Sequence, residues 1–225
     1  AAKLNGRVID FHTPVHESGA LEFISVDSPE GLAVLRHSTA HLMASAVMKI
    51  FPEVKFAIGP AIDEGFYYDF EVPRPISVED LAAIEKLMLE IAKEDHRFIR
   101  AELKRDEAID RFKRLDEKFK VEIIEDLPDA TVSTYTHSFF TDLCRGPHVP
   151  STGYLKHVKL LSLAGAYWRG DEKRPMLQRI YGISFPERTT EAYKEKFLSS
   201  LDIEAIGKKK FKLVIDYSNG VASTI

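Results

Sequence analysis

The chain has 225 residues, 44% of them hydrophobic, which is enough to build the core of one large or two small domains. Its net charge of −4 argues against a protein that coats nucleic acid generally, although a local basic patch remains compatible with it. A single cysteine excludes an internal disulfide and fits a reducing compartment. The sequence reads without a signal peptide or an apolar run able to span a bilayer. It begins with Ala1, so a processed product or an excised segment is expected.

In chain order, Lys3–Ile9 carries Asn5-Gly6 between apolar residues, a hairpin signal, and Gly19–Val26 reads as a further strand. His12 and His16 lie in the loop between them with no partner pattern and are expected in solvent. Ser28, Pro29 and Glu30 supply a cap, a first-turn proline and a first-turn acid for a helix. Between Leu32 and Met48 the only formal charge is Arg36, so this helix is expected to be buried nearly all round. Leu32, Leu35, Leu42, Met43, Ala46 and Ile50 form one stripe, with His37 and His41 opposite it among small residues. Gly65–Phe70 reads as a strand with Phe66, Tyr68 and Phe70 on one face and Tyr67 and Asp69 on the other. Ser77 starts an amphipathic helix reaching about Glu94. A strand is expected at Ile99–Leu103, a helix at Asp106–Leu115, and a strand at Val121–Ile124 with Lys120 at its mouth. Thr131–Leu143 is expected as one strand, placing Phe140, Asp142 and Cys144 on a common face. Gly153–Tyr181 has six cationic residues against two acidic ones, a net +4 while the rest of the chain carries −8. Tyr167, Trp168 and Tyr181 are interleaved with those cations. Such a mixture suits phosphates and unstacked bases, or simply a well-mixed surface over a strand pair.

Three of the eight histidines and the only cysteine fall in two short windows, His37-Ser38-Thr39-Ala40-His41 and Cys144-Arg145-Gly146-Pro147-His148. The first stacks two imidazoles at i and i+4, and Gly-Pro keeps the second from being helical. His37, His41, Cys144 and His148 match a tetrahedral zinc set in type. The pair is not the metalloprotease motif, which needs a glutamate directly after the first histidine, where Ser38 stands. A cysteine nucleophile with a histidine base, metal-free hydrolysis, and plain hydrogen-bonded interior histidines also remain open.

Arg36–Leu42, Ile58-Gly59-Pro60, Gly65–Asp69, Asp142–Pro150 and Gly165–Asp171 occur in that order. Together they resemble the N-terminal editing domain of bacterial-type threonyl-tRNA synthetase, over about 28–197. Residues 1–27 resemble the end of the small ubiquitin-like TGS domain, a β-grasp fold, that precedes it. Residues 198–225 depart from the family; Phe211–Gly220 resembles a segment of sugar-phosphate mutases and has no assigned role. The resemblance implies an α+β fold with helices on a mostly antiparallel sheet around a cleft. It implies hydrolysis of serine mischarged onto threonine tRNA. The family's aminoacylation domain would follow and is not in this sequence, so no aminoacylation activity is expected, and the fragment is expected to be a cytoplasmic monomer. A synthetic site rejects serine only through one missing methyl, worth roughly 1–3 kcal/mol, so a second sieve is needed. The implied roles give Lys120 and His37 the activation of water and Asp142 the substrate ammonium. Tyr68, His41 and His148 hold hydroxyls, and Cys144 lines the pocket. Lys156, Lys159 and Arg169 are expected to meet the tRNA acceptor end. The resemblance implies metal-free chemistry, so no cofactor is expected despite the zinc-like donors.

Overall fold

A computed structural model describes residues 1–186; the expected tail of 198–225 and the last part of the expected editing domain lie outside the described residues. The fold is α+β, built on three antiparallel sheets. The first contains β1 (Ala2–Leu4), β2 (Arg7–Ile9) and β3 (Leu21–Phe23), in the order β2-β1-β3. Asn5 and Gly6 take φ of 52° and 80°, the left-handed pair that a two-residue hairpin turn requires. His12 and His16 are exposed, as expected.

Helix α1 (Pro29–Ile50) starts where Ser28 Oγ accepts the Gly31 N–H at 3.1 Å. It is buried continuously from Ser38 to Val47, which accounts for a sequence almost free of charge. Its one internal cation, Arg36, is 5% exposed and donates to the Asp63 carbonyl at 2.8 Å. The central sheet runs β10 (His157–Tyr167), β11 (Met176–Phe185), β6 (Gly65–Glu71), β4 (Lys55–Phe56), with β5 (Ala61–Ile62) also pairing β6. Helix α1 packs on β6 and β11, and α2 (Val78–Lys93) packs on α1 and β10. The alternation expected in β6 holds: Phe66, Tyr68 and Phe70 are fully buried in the main core. On the other face, the Arg179 guanidinium grips Asp69 at 2.6 and 2.8 Å and lies 3.8 Å over the Tyr67 ring.

The third sheet, β7 (Ile99–Lys104), β8 (Thr131–His137) and β9 (Phe140–Leu143), forms the opposite wall. Helices α3 (Arg105–Arg114) and α4 (Lys118–Asp126) share a second small core with β8, formed by Ala108, Phe112, Val121, Ile124 and Val132. Two expectations are corrected here. Val121–Ile124 is helical, within α4, because Val121 and Ile124 lie one turn apart on the face that meets α3. Thr131–Leu143 is a hairpin, broken at Ser138, whose φ is 51°.

Candidate active site

Four elements meet at the site. Helix α1 brings His37 and His41, β6 brings Tyr68, α4 brings Lys120, and β9 with the loop after it brings Asp142, Cys144 and His148. The cleft between them has a volume of about 550 Å³, and His37, His41, Lys120, Asp142 and Cys144 line it. Ile58, Pro60, Ile123, Leu127 and Leu143 supply an apolar wall, and Arg100, Glu102, Asp129 and Arg145 add charge to the lining. Tyr68 and His148 stand behind these groups and do not line the cleft.

The floor is one connected network. Lys120 Nζ lies 2.5 Å from Asp142 Oδ1 and donates to Tyr68 Oη at 2.9 Å. The Tyr68 hydroxyl donates to Asp142 Oδ2 at 2.6 Å, and His41 Nε2 lies 3.7 Å from that oxygen. Lys120 and Asp142 are 3% and 2% exposed, so each depends on the other for its counter-charge. Burial and the neighbouring carboxylate hold the Tyr68 hydroxyl well above its ordinary pKa, which keeps it a donor.

The second cluster continues from the first. His37 Nε2 is 3.3 Å from His41 Nε2 and 3.1 Å from Cys144 Sγ, and Cys144 Sγ is 3.3 Å from His148 Nε2. Ser38 fixes the tautomer of His148. Its hydroxyl donates to the Val34 carbonyl at 2.8 Å, so its oxygen accepts from His148 Nδ1 at 3.0 Å and from the Val149 N–H. The lone pair on His148 Nε2 therefore faces the thiol. Burial lowers the pKa of His37, His41 and His148, the last two well below 6.5, and the neighbouring imidazoles add to this for His41 and His148. Burial pushes the Cys144 thiol up to about 12. A thiol held protonated is a poor nucleophile, which weighs against the cysteine-nucleophile reading.

The same four groups, His37, His41, Cys144 and His148, each offer a ligand atom, and these atoms lie within 4.8 Å of one another. Zinc bonds of roughly 2.0–2.3 Å set tetrahedral edges of about 3.3–3.8 Å, close to the 3.1–3.3 Å separations seen between three of the pairs. Ser38 on His148 Nδ1 is the kind of outer partner that orients such a ligand. The donors fit a zinc ion.

All seven expected pocket residues converge, while the three expected tRNA contacts lie outside the cleft lining. Lys156 is exposed, and Lys159 pairs with Glu85 at 2.9 Å. Arg169 pairs with Glu122 at 3.0 Å and Asp126 at 2.5 Å, both on α4. Trp168 Nε1 and Arg174 also bond Glu122, and Trp168 packs on Phe119. This stretch therefore clamps the helix that carries Lys120. Sequence reasoning missed Glu117, 7% exposed, whose carboxylate accepts the Phe56 N–H at 3.0 Å three residues before Lys120. No spacing signal marked it.

A family model described as the threonyl and alanyl tRNA synthetase second additional domain matches residues 132–181, from β8 into β11. The chain is 54% identical over 189 residues to the threonine–tRNA ligase of Desulforamulus reducens, a stretch covering 84% of the chain and 30% of that protein. It is 53% identical over 194 residues to that of Citrifermentans bemidjiense, covering 86% and 30%. For that of Anoxybacillus flavithermus the figures are 54% over 186 residues, covering 82% and 29%. The chain thus spans about three-tenths of the length of the curated relatives it matches.

Proposed function

From a chain about half identical, over most of its length, to bacterial threonine–tRNA ligases and matching an additional domain of threonyl and alanyl tRNA synthetases, we propose an editing hydrolase that removes serine from threonine tRNA. The observation that carries this reading is the Lys120–Asp142 pair on the cleft floor within reach of His37 and His41. A seryl ester presents an α-ammonium, a hydroxyl and a carbonyl. Of the cleft-lining carboxylates, Asp142 is the one beside Lys120 and His41, and it receives the ammonium. Water attacks the carbonyl carbon, and its proton passes to neutral His37, or to Lys120 once the lysine has released its own proton to solvent. The ester C–O bond then breaks, and the ribose oxygen takes up a proton. Tyr68 and His148 act from behind, holding Asp142 and Cys144 in place.

A second reading is favoured by the four convergent donors. His37, His41, Cys144 and His148 would hold zinc, which would supply a Lewis acid to polarise the ester carbonyl. The deciding experiment is deacylation of seryl-tRNA(Thr) by this chain, with elemental analysis of protein purified without chelator. Activity that survives prolonged chelation, with no stoichiometric zinc, is expected. One zinc per chain lost together with activity would establish the second reading. Binding of tRNA without hydrolysis in either condition would leave only a binding module.

A further inference from the structure

The Cys144–His148 loop has an anchor outside its own sheet and outside α1. Asp10, just after β2, reaches it with both carboxylate oxygens. Oδ1 accepts the His148 backbone N–H at 2.8 Å, and Oδ2 accepts the Tyr135 hydroxyl at 2.5 Å. Tyr135 lies on β8 opposite Asp142. Its ring meets His148 edge-on at 4.5 Å, and Phe98 stacks on the same imidazole at 4.7 Å. Gly146, at φ 72°, lies against the Tyr135 hydroxyl so closely that an added Cβ would run into it. The loop is thus shaped around Tyr135, and one carboxylate from the N-terminal segment closes the arrangement on two sides.

We propose that Asp10 is a positioning residue of the hydrolytic site: through Tyr135 and the His148 N–H it holds the loop that presents Cys144 and His148 to His37 and His41. The pocket is then completed by a segment about 130 residues away in sequence, from outside the elements that carry its reacting groups. Two charge-assisted hydrogen bonds from a partly buried carboxylate are strong enough to hold a loop in register. Asp10→Asn keeps the size and one acceptor but loses the charge and sets an amide group against a donor. The inference rests on the hydrolytic reading for its rate arm but not for its second arm.

Cys144 is the only cysteine, so native-state alkylation by iodoacetamide, with chelator present, reads out at this loop, and its acceleration over wild type measures loosening there. In the full chain, Asp10→Asn and Tyr135→Phe are each expected to speed alkylation by about tenfold or more. Each should also lower kcat for seryl-tRNA deacylation by roughly 10–100-fold with KM changed less than about twofold, since a small misplacement acts on the reacting geometry. The double variant should be no worse than the stronger single one, as for groups acting in one network. Asp10→Glu should recover part of the rate. Lys3→Ala is the control, because it breaks the 2.8 Å Lys3–Glu30 pair that ties the same N-terminal sheet to α1. Alkylation unchanged in Asp10→Asn, additive effects in the double variant, or an equal acceleration from Lys3→Ala would overturn the proposal. The alkylation arm needs no substrate, so a protein that proves inactive on seryl-tRNA still tests it.

Discussion

Lys120 and Asp142 are bound so closely that neither can be altered without disturbing the other. Lys120→Met keeps bulk and removes the base, so single-turnover deacylation is expected to fall by roughly 10²–10⁴-fold. Affinity for a non-hydrolysable seryl-adenosine analogue should not fall with the rate, because losing Lys120 leaves Asp142 free to pair with the ammonium. Asp142→Asn should weaken the analogue strongly by removing the charge opposite its ammonium. Both variants leave a buried charge without its partner, at a cost of about 3–5 kcal/mol, so rates must be read below each variant's unfolding transition. A Lys120→Met rate near wild type would transfer the base to His37. His37, His41, Cys144 and His148 were legible because imidazole and thiol are scarce types gathered in two short windows, whereas Tyr68, Lys120 and the role of Asp142 came only from the family resemblance. Ser38, Tyr135, Asp10 and Glu117 were not legible as parts of the site. Each is an ordinary residue whose role exists only through a contact made across the fold.

At the scale of elements, α4 was the misread piece. Val121, Ile123 and Ile124 are β-branched and favour a strand locally, but burial against α3 and β8 overrides that preference. The break in the β8–β9 hairpin was hidden because Ser138-Phe139 contains none of the Gly, Asn or Pro that usually mark a turn. The NG hairpin and both side-chain-capped helices were read correctly, since their chemistry is local. The mouth of α4 also carries a pH dependence. Burial raises the Glu117 pKa from 4.5 to about 7, partly offset by the Phe56 N–H and Lys120. A carboxyl with a raised folded pKa contributes stability that is full below about 4.5 and lost as pH rises through about 7. The loss is on the order of 3 kcal/mol. Glu117→Gln keeps the acceptor for Phe56, so its denaturation midpoint should gain on wild type between pH 5 and pH 8. An equal wild-type-to-variant difference at both pH values would show that the carboxyl does not titrate there.

Over the whole molecule, charge is distributed more subtly than composition suggested. The +4 stretch is a real excess, but Arg169, Arg174 and Arg179 are turned inward to Glu122, Asp126 and Asp69. Lys156 and Lys173 are exposed and have no ion-pair partner among the described residues, which leaves them the cations of this stretch free to meet phosphate. Lys156→Ala is expected to weaken tRNA binding uniformly and to reduce the slope of log affinity against log salt by about 1. Arg169→Ala should instead loosen α4 and reduce hydrolysis. A salt slope unchanged in Lys156→Ala would move the RNA surface elsewhere, with the cleft-lining Arg100 and Arg145 as the next candidates.

The distance along the chain between the two halves of the site has a consequence during synthesis. His37 and Cys144 are 107 positions apart, and α1 is apolar on nearly every side. A ribosome adding roughly 5–20 residues per second makes α1 wait on the order of 5–20 s for the strand that will cover its histidine face. For that interval the nascent chain displays the most hydrophobic of its described helices with only α2 and part of a sheet to shelter it. The helix hidden most completely among the described residues is therefore one that the growing chain must protect while more than a hundred further residues are made.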